Sequence, residues 1–308
     1  MDAQSPVIRR YGTAASQEAA ALIRAGGIVA VPTETVYGLA ADACDSAAVA
    51  RIYAAKGRPA FNPLIVHVRD LAAAERIAVF DDDARALAAR FWPGPLTLVL
   101  PLREGAGIAR LVTAGLPTIA IRVPAHRAMQ DLLTQSGAPL AAPSANASNG
   151  ISPTRAEHVA ASLGAAVPLI LDDGATAAGV ESTIVAGRTI LRPGPVTAEM
   201  LEEVLPVAAG TTAQVSAPGQ MATHYAPRKP LRLGALVREG DEWLIGFGAV
   251  AGDDTLSADG DVVEAAARLF DALHRGDASD RTTIAVAGVP HVGVGVAIND
   301  RLRRAAHR

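Results

Sequence analysis

This chain has little lysine and almost no cysteine. Of its 28 basic residues only Lys56 and Lys229 are lysines, and its one thiol is Cys44. A single cysteine excludes an internal disulfide and suits a reducing, cytoplasmic setting. Aromatic residues make up 4% of the chain, which leaves few rings to stack on bases. The formal charge of −3 gives no general pull toward nucleic acid or anionic lipid. Binding of double-stranded RNA or tRNA would therefore need a local basic patch. No run of about 18 apolar residues occurs, so no membrane span is expected. The opening residues, Met1 to Pro6, lack the charged start and apolar core of a secretory leader. Seven histidines show neither HExxH nor paired ligand spacing, which argues against a dedicated metal site. Neither a Walker A pattern nor GxGxxG is present, so a P-loop ATPase and a Rossmann dehydrogenase both lose their usual warrants.

What is present is a 308-residue chain that is half hydrophobic, mostly through alanine and valine. That suffices for one large domain or two moderate ones. Helical stretches at about 14–25, 46–56, 81–90 and 125–133 alternate with apolar strands at 28–31, 64–68, 96–100 and 118–122. Ser46 is the expected cap of the second helix, with Gly57 in the left-handed position after Lys56. Thr154 and Glu157 have the spacing of a capping box. Strands at 169–171, 183–186 and 189–192 follow, some with no helix between them, which implies a mixed sheet. Small and polar residues between about 206 and 230 read as a linker. Beyond it, strands at 243–247 and 282–287, a helix ended by Gly276 and a basic helix at 296–306 predict a second α/β domain of about 75 residues. The expected division is a catalytic domain over 1–205, a linker or lid over 206–230, and a small C-terminal domain over 231–308.

Four polar segments interrupt this apolar pattern: Pro32–Leu39, Lys56–Pro63, Ala141–Asn146 and Gly179–Thr183. All follow strand or helix ends, where ligands bind in open α/β sheets. Together they supply cations, hydroxyls and an amide. Lys56 and Arg58 flank a glycine at a helix end, a compact seat for a polyphosphate. They could equally neutralise helix-end carbonyls. His67 could be a hydrogen-bonded core residue, and Ser144 and Asn146 could stabilise their own turn. Asp172-Asp173-Gly174 resembles a carboxylate pair for Mg²⁺ but also a strand-ending turn. Cys44 reads as a small hydrophobe rather than a nucleophile, since no paired histidine stands out.

Several of these segments carry a family resemblance. P-T-E-T-V-Y-G-L at 32–39, K-G-R-P at 56–59, N-P-L-I-V-H at 62–67 and F-W-P-G-P-L-T-L-V-L at 91–100 resemble the YrdC-like family. So do P-S-A-N at 143–146, E-S-T-I at 181–184 and L-R-P-G-P at 191–195. The seven motifs are collinear from residue 12 to about 205. H-Y-A-P at 224–227, followed by a small domain, resembles the longer, two-domain members. Pro218–Thr223 lacks the basic residue that many relatives carry before that histidine.

The resemblance implies a twisted, mixed, open α/β sheet with flanking helices and a small C-terminal α/β domain. The implied activity is L-threonylcarbamoyl-AMP synthesis from L-threonine, bicarbonate and ATP, with Mg²⁺ carried on ATP. The product would pass to downstream tRNA threonylcarbamoyl transferase machinery for the N6-threonylcarbamoyladenosine (t6A) base. Lys56, Arg58, Ser144 and Asn146 match the family's catalytic tetrad on the ATP phosphates. Asn62, Thr118, Ser152, Arg192 and Tyr225 match positions at ATP, and Thr35, His67, Arg122, Ala142 and Ser182 match positions around threonine. Two other readings stay open: an RNA-binding module using Arg58, Arg122 and Arg192, and a carbamoyltransferase acting on carbamoyl phosphate.

Overall fold

The computed structural model describes residues 6–210 and 225–307. His224 and most of the expected linker lie outside the described residues. Eleven strands of the N-terminal part are β1 (Val7–Arg10), β2 (Val29–Pro32), β3 (Tyr37–Asp42), β4 (Ile65–His67), β5 (Leu96–Pro101), β6 (Thr118–Arg122), β7 (Leu140–Ala141), β8 (Leu169–Asp172), β9 (Thr183–Ala186), β10 (Thr189–Arg192) and β11 (Ala208–Ala209). They form one sheet in the order β1-β8-β2-β3-β7-β4-β6-β5-β9-β10-β11. Its pairings mix parallel steps, such as β4 with β6, and antiparallel steps, such as β2 with β3.

Alternation along the strands sends side chains to opposite faces. Val29 and Val31 pack with Ile23 of the helix Thr13–Arg24 and Leu132 of the helix Arg127–Ser136. Ala30 and Leu39 pack on the other face with Ile52 of the helix Ser46–Lys56 and Leu87 of the helix Asp82–Phe91. The sheet is therefore covered on both sides. β3 is fully buried except at Asp42. It escapes a strand reading because Gly38, Ala40 and Ala41 give it little β propensity of its own.

Four more strands, β12 (Leu231–Leu233), β13 (Glu242–Gly246), β14 (Asp254–Thr255) and β15 (Thr283–Val286), form a second, all-parallel sheet in the order β12-β15-β13-β14. The helices Val262–Ala278 and Gly295–Ala306 pack with it. Its core also includes Val36, Ile151, Val180 and Tyr225, so it is continuous with loops of the larger sheet. No helix among the described residues is long and apolar enough to cross a membrane.

Three local expectations are corrected. The cap of the helix Ser46–Lys56 is Asp45, whose carboxylate accepts from the N–H groups of Ala47 (2.8 Å) and Ala48 (3.2 Å); Ser46 is already helical. Thr154 forms no capping box. The helix starts at Ala156, and Thr154 bonds His158 Nδ1 instead. Gly276 does not end its helix, which continues to Ala278. A Cβ there would sit 3.1 Å from Trp243 and 3.2 Å from Ile284, so the glycine serves close packing against the sheet.

Candidate active site

The four polar segments converge on one cleft at the strand ends. The first wall is the β2–β3 turn. Thr33 Oγ1 accepts from the N–H groups of Thr35 (3.1 Å) and Val36 (3.3 Å) and donates to Val36 O (2.8 Å), folding the turn on its own side chain. Thr35 Oγ1 is thereby held 2.8 Å from Thr33 Oγ1. Arg122, at the end of β6, donates from Nη1 to Thr35 Oγ1 (3.0 Å) and from Nε to Gly94 O (3.1 Å). Its Nη2 lies 2.6 Å from Glu34 Oε1, an ion pair between buried groups. Burial opposes the Glu34 charge, but Arg122 more than offsets that and lowers its pKa. His67, one strand over, is buried on the same wall. Burial, and secondarily Arg122, push its pKa down to about 3, so the ring is neutral.

The second wall is the Pro143–Asn146 turn after β7. Leu39 N–H donates to Pro143 O (2.7 Å) and Ala145 N–H to Tyr37 O (2.8 Å), so β3 carries the turn. Lys56 approaches from below as the last residue of its helix, where Gly57 takes the left-handed conformation at φ 59°. Only 3% exposed, Lys56 donates from Nζ to the carbonyls of Ser144 (2.5 Å) and Asn146. Burial pushes its pKa well below the ordinary lysine value, and Arg58 adds to the effect. The Asn146 amide donates to Ala147 O (3.0 Å) and Gly150 O (2.8 Å). Lys56 and Asn146 thus both hold the turn, while Ser144 itself lines the cleft.

Arg58 and Arg192 complete the lining. Arg58 is anchored by the carbonyls of Asn62 (3.3 Å) and Pro63 (2.9 Å). Arg192, on β10, donates to Ser182 O from Nε (3.0 Å) and from Nη2 (2.9 Å), and to Ser182 Oγ (3.1 Å). Burial brings the Arg58 pKa down to about 10, and that of Arg192 is lowered by burial as well. The nearby guanidinium groups add to each shift, yet both remain cationic at neutral pH. Buried cations gathered on one wall form a seat for an anion. Tyr225 reaches into the same cleft with φ at 65°, in the left-handed region, which is costly for a non-glycine residue and recurs at functional sites.

Of the residues singled out from sequence, Thr35, Arg58, His67, Arg122, Ala142, Ser144, Ser182, Arg192 and Tyr225 line this cleft. Lys56 and Asn146 stand directly behind it. Asn62 is behind Arg58, and Ser152 is buried against Glu181. Thr118 sits at the start of β6, paired with Pro101, and does not line the cleft. Sequence reasoning did not single out Glu34 or Glu181. Only the shared motifs around them hinted at a role. Asp172 accepts from Tyr37 and Asp173 from Arg127.

Fold and cleft together define a two-sheet α/β protein with an arginine-lined cleft at the strand ends of its larger sheet. Residues 21–194 match the Sua5_yciO_yrdC family, described as "Telomere recombination", and residues 196–307 match "Threonylcarbamoyl-AMP synthase, C-terminal domain". The chain is 41% identical to the threonylcarbamoyl-AMP synthase of Pyrococcus abyssi over 317 residues, covering 94% of this chain and 93% of that protein. It is also 41% identical to the Bacillus subtilis threonylcarbamoyl-AMP synthase, covering 94% and 92%. The crystal structure of P. abyssi Sua5 complexed with L-threonine superposes with a TM-score of 0.89 at 38% identity, over 97% of each chain. The chain belongs to the Sua5/YrdC family and has its two-domain architecture.

Proposed function

We propose that this cleft makes L-threonylcarbamoyl-AMP and pyrophosphate from L-threonine, bicarbonate and ATP. Similarity over nearly the full length of two threonylcarbamoyl-AMP synthases supports the activity. The observation that carries the residue assignments is the set of three guanidinium groups, Arg58, Arg122 and Arg192, on one narrow cleft. The threonine amine adds to bicarbonate with loss of water, giving a carbamate. A carbamate oxygen then attacks the α-phosphorus of ATP, and pyrophosphate leaves. Catalysis of this kind rests on positioning and charge stabilisation.

Arg122 is the partner for the threonine carboxylate, with Thr35, His67, Ala142 and Ser182 around the rest of the amino acid. A neutral His67 can meet the amine or carbamate without repelling the ammonium form. Arg58, Ser144 and Arg192 take phosphate oxygens, the arginines by forked hydrogen bonds. Lys56 and Asn146 act on the phosphates by holding the Ser144 turn, and Asn62 and Ser152 by holding Arg58 and Glu181. Thr118, at the start of β6 and outside the cleft, takes no part in this arrangement. Among the described residues no group of three His, Cys, Asp or Glu side chains is arranged for a metal. Of the nearby carboxylates, Glu181 is engaged by Ser152 and Arg301, and Glu34 by Arg122. Mg²⁺ brought with ATP would be held by phosphate oxygens and water.

The domain boundaries we propose are 1–205, 206–230 as the linker or lid, and 231–308, with Tyr225 covering the nucleotide against water. The labile product would pass in the cytoplasm to tRNA threonylcarbamoyl transferase machinery for t6A. Pyrophosphate exchange into ATP that depends on both threonine and bicarbonate tests the reaction. Phosphate release from carbamoyl phosphate, or salt-sensitive tRNA binding without ATP turnover, would replace this reading by one of its two rivals.

A further inference from the structure

One arginine of the second domain stands directly behind the wall of the cleft. Arg301, on the helix Gly295–Ala306, is 0% exposed. Its Nε donates to Glu181 Oε2 at 2.8 Å, and its Nη2 lies 3.4 Å from Glu181 O. Its Nη1 donates to Pro193 O (3.0 Å) and to Asp300 (2.8 Å). The guanidinium carbon also stands 5.3 Å from the centre of the Tyr225 ring. Apart from its own neighbour Asp300, each residue touched is a cleft-wall residue or its direct neighbour: Glu181 lines the cleft, Pro193 follows Arg192, and Tyr225 is the cover. The other Glu181 oxygen accepts from Ser152. A second contact fixes the same segment. Gly179, at φ 69°, lies so close to the helix Val262–Ala278 that a Cβ would fall 2.2 Å from Ala266 O.

We propose that Arg301 is a positioning residue for the nucleotide half of the site, through which the docked C-terminal domain aligns Glu181, Arg192 and Tyr225. The claim rests on the functional reading above. Arg301 touches no group of the threonine half: Arg122, Thr35 and Glu34 are tied to one another and to Gly94. Loss of Arg301 should therefore divide the two substrates. A merely structural role would weaken both alike.

A buried arginine that loses its side chain leaves Glu181 charged and unpaired, which alone destabilises a fold. The test therefore compares the full chain with Arg301→Lys, Arg301→Met and the double variant Arg301→Met/Glu181→Gln, in which that stranded charge is gone. Steady-state pyrophosphate release gives KM for ATP and kcat. Calorimetry with L-threonine alone and with ATP alone gives each affinity, and thermal unfolding reports the fold. Arg301→Met and the double variant should both weaken ATP by ~tenfold or more, with threonine affinity within about twofold of the parent. Arg301→Lys, which keeps charge but not the fork, should fall between. A double variant that melts like the parent and binds ATP like the parent overturns the proposal, as does equal weakening of both ligands. If the parent releases no pyrophosphate, the functional reading fails instead, and the ATP and threonine titrations still decide whether Arg301 aligns one half of the cleft.

Discussion

The two ends of the cleft are held in different ways. The Arg122 end is closed within the larger sheet: β4, β6 and the β2–β3 turn bring His67, Arg122, Glu34 and Thr35 together, and the arginine charge already has a carboxylate partner at 2.6 Å. The Arg58–Arg192 end joins three distant segments, with a residue of the second domain pinned behind it. A self-contained, charge-balanced seat suits a small zwitterion whose own carboxylate can take over from Glu34. A seat that gathers cations from several segments suits a larger polyanion, and it leaves assembly of that half open to the second domain. Burial is the main cause of the depressed pKa values of Arg58 and Arg192.

The largest effect is expected where one cation supports a turn used by the nucleotide end. Lys56→Met leaves two buried carbonyls without their donor and should cost about 3 kcal/mol of stability in chemical unfolding. A loss below about 1 kcal/mol would mean that Lys56 does not hold the Ser144 turn. Arg58→Ala should lower kcat/KM for ATP on the order of 100-fold while the protein still melts cooperatively. Unchanged turnover would remove Arg58 from the phosphate seat. At the other end, Glu34→Gln removes the internal competitor for Arg122, so threonine should bind tighter by roughly three- to fivefold in calorimetry with ATP binding unaltered. Weaker threonine binding would mean that Glu34 orients Arg122 for the substrate rather than competing with it.

Much of the first sheet and most of the cleft could be read before any coordinates, because their signals are local. Lys56, Gly57 and Arg58 are adjacent, and the Ser144 turn and the β2–β3 turn are each contiguous stretches. What escaped depends on distance in the chain. Arg301 lies 120 residues from Glu181, and in sequence it is one of several arginines on a basic helix. Glu34 was visible as a letter in a motif, but its ion pair with Arg122 arises only when β2 and β6 share a sheet. Gly179 and Gly276 look like ordinary breakers, and their actual role is to let a backbone or side chain come close. The small all-parallel sheet was legible only as scattered strands, since short strands such as β14 carry no periodicity to detect.

The two ends also separate by pH. His67 belongs to the threonine end. His274 stands behind the other, stacked on His158 at 3.8 Å and 3.1 Å from Ser152 O. Burial is the main cause in both: it depresses His67 to about 3 and His274 to about 4. Groups with depressed folded pKa values stabilise fully above their unfolded value, near 6.5. That contribution is lost as pH falls, because the unfolded chain takes up the proton first. Each ring should therefore remove about 1 kcal/mol between pH 6.5 and 5.5. Urea unfolding across this window should show a shallower slope in His67→Gln and, separately, in His274→Gln, with the two changes adding because the residues lie at opposite ends. If His67→Gln left the slope unchanged, that ring would already be charged or solvated in the folded protein. The neutral, enclosed threonine seat would then be wrong, while the nucleotide end would stand.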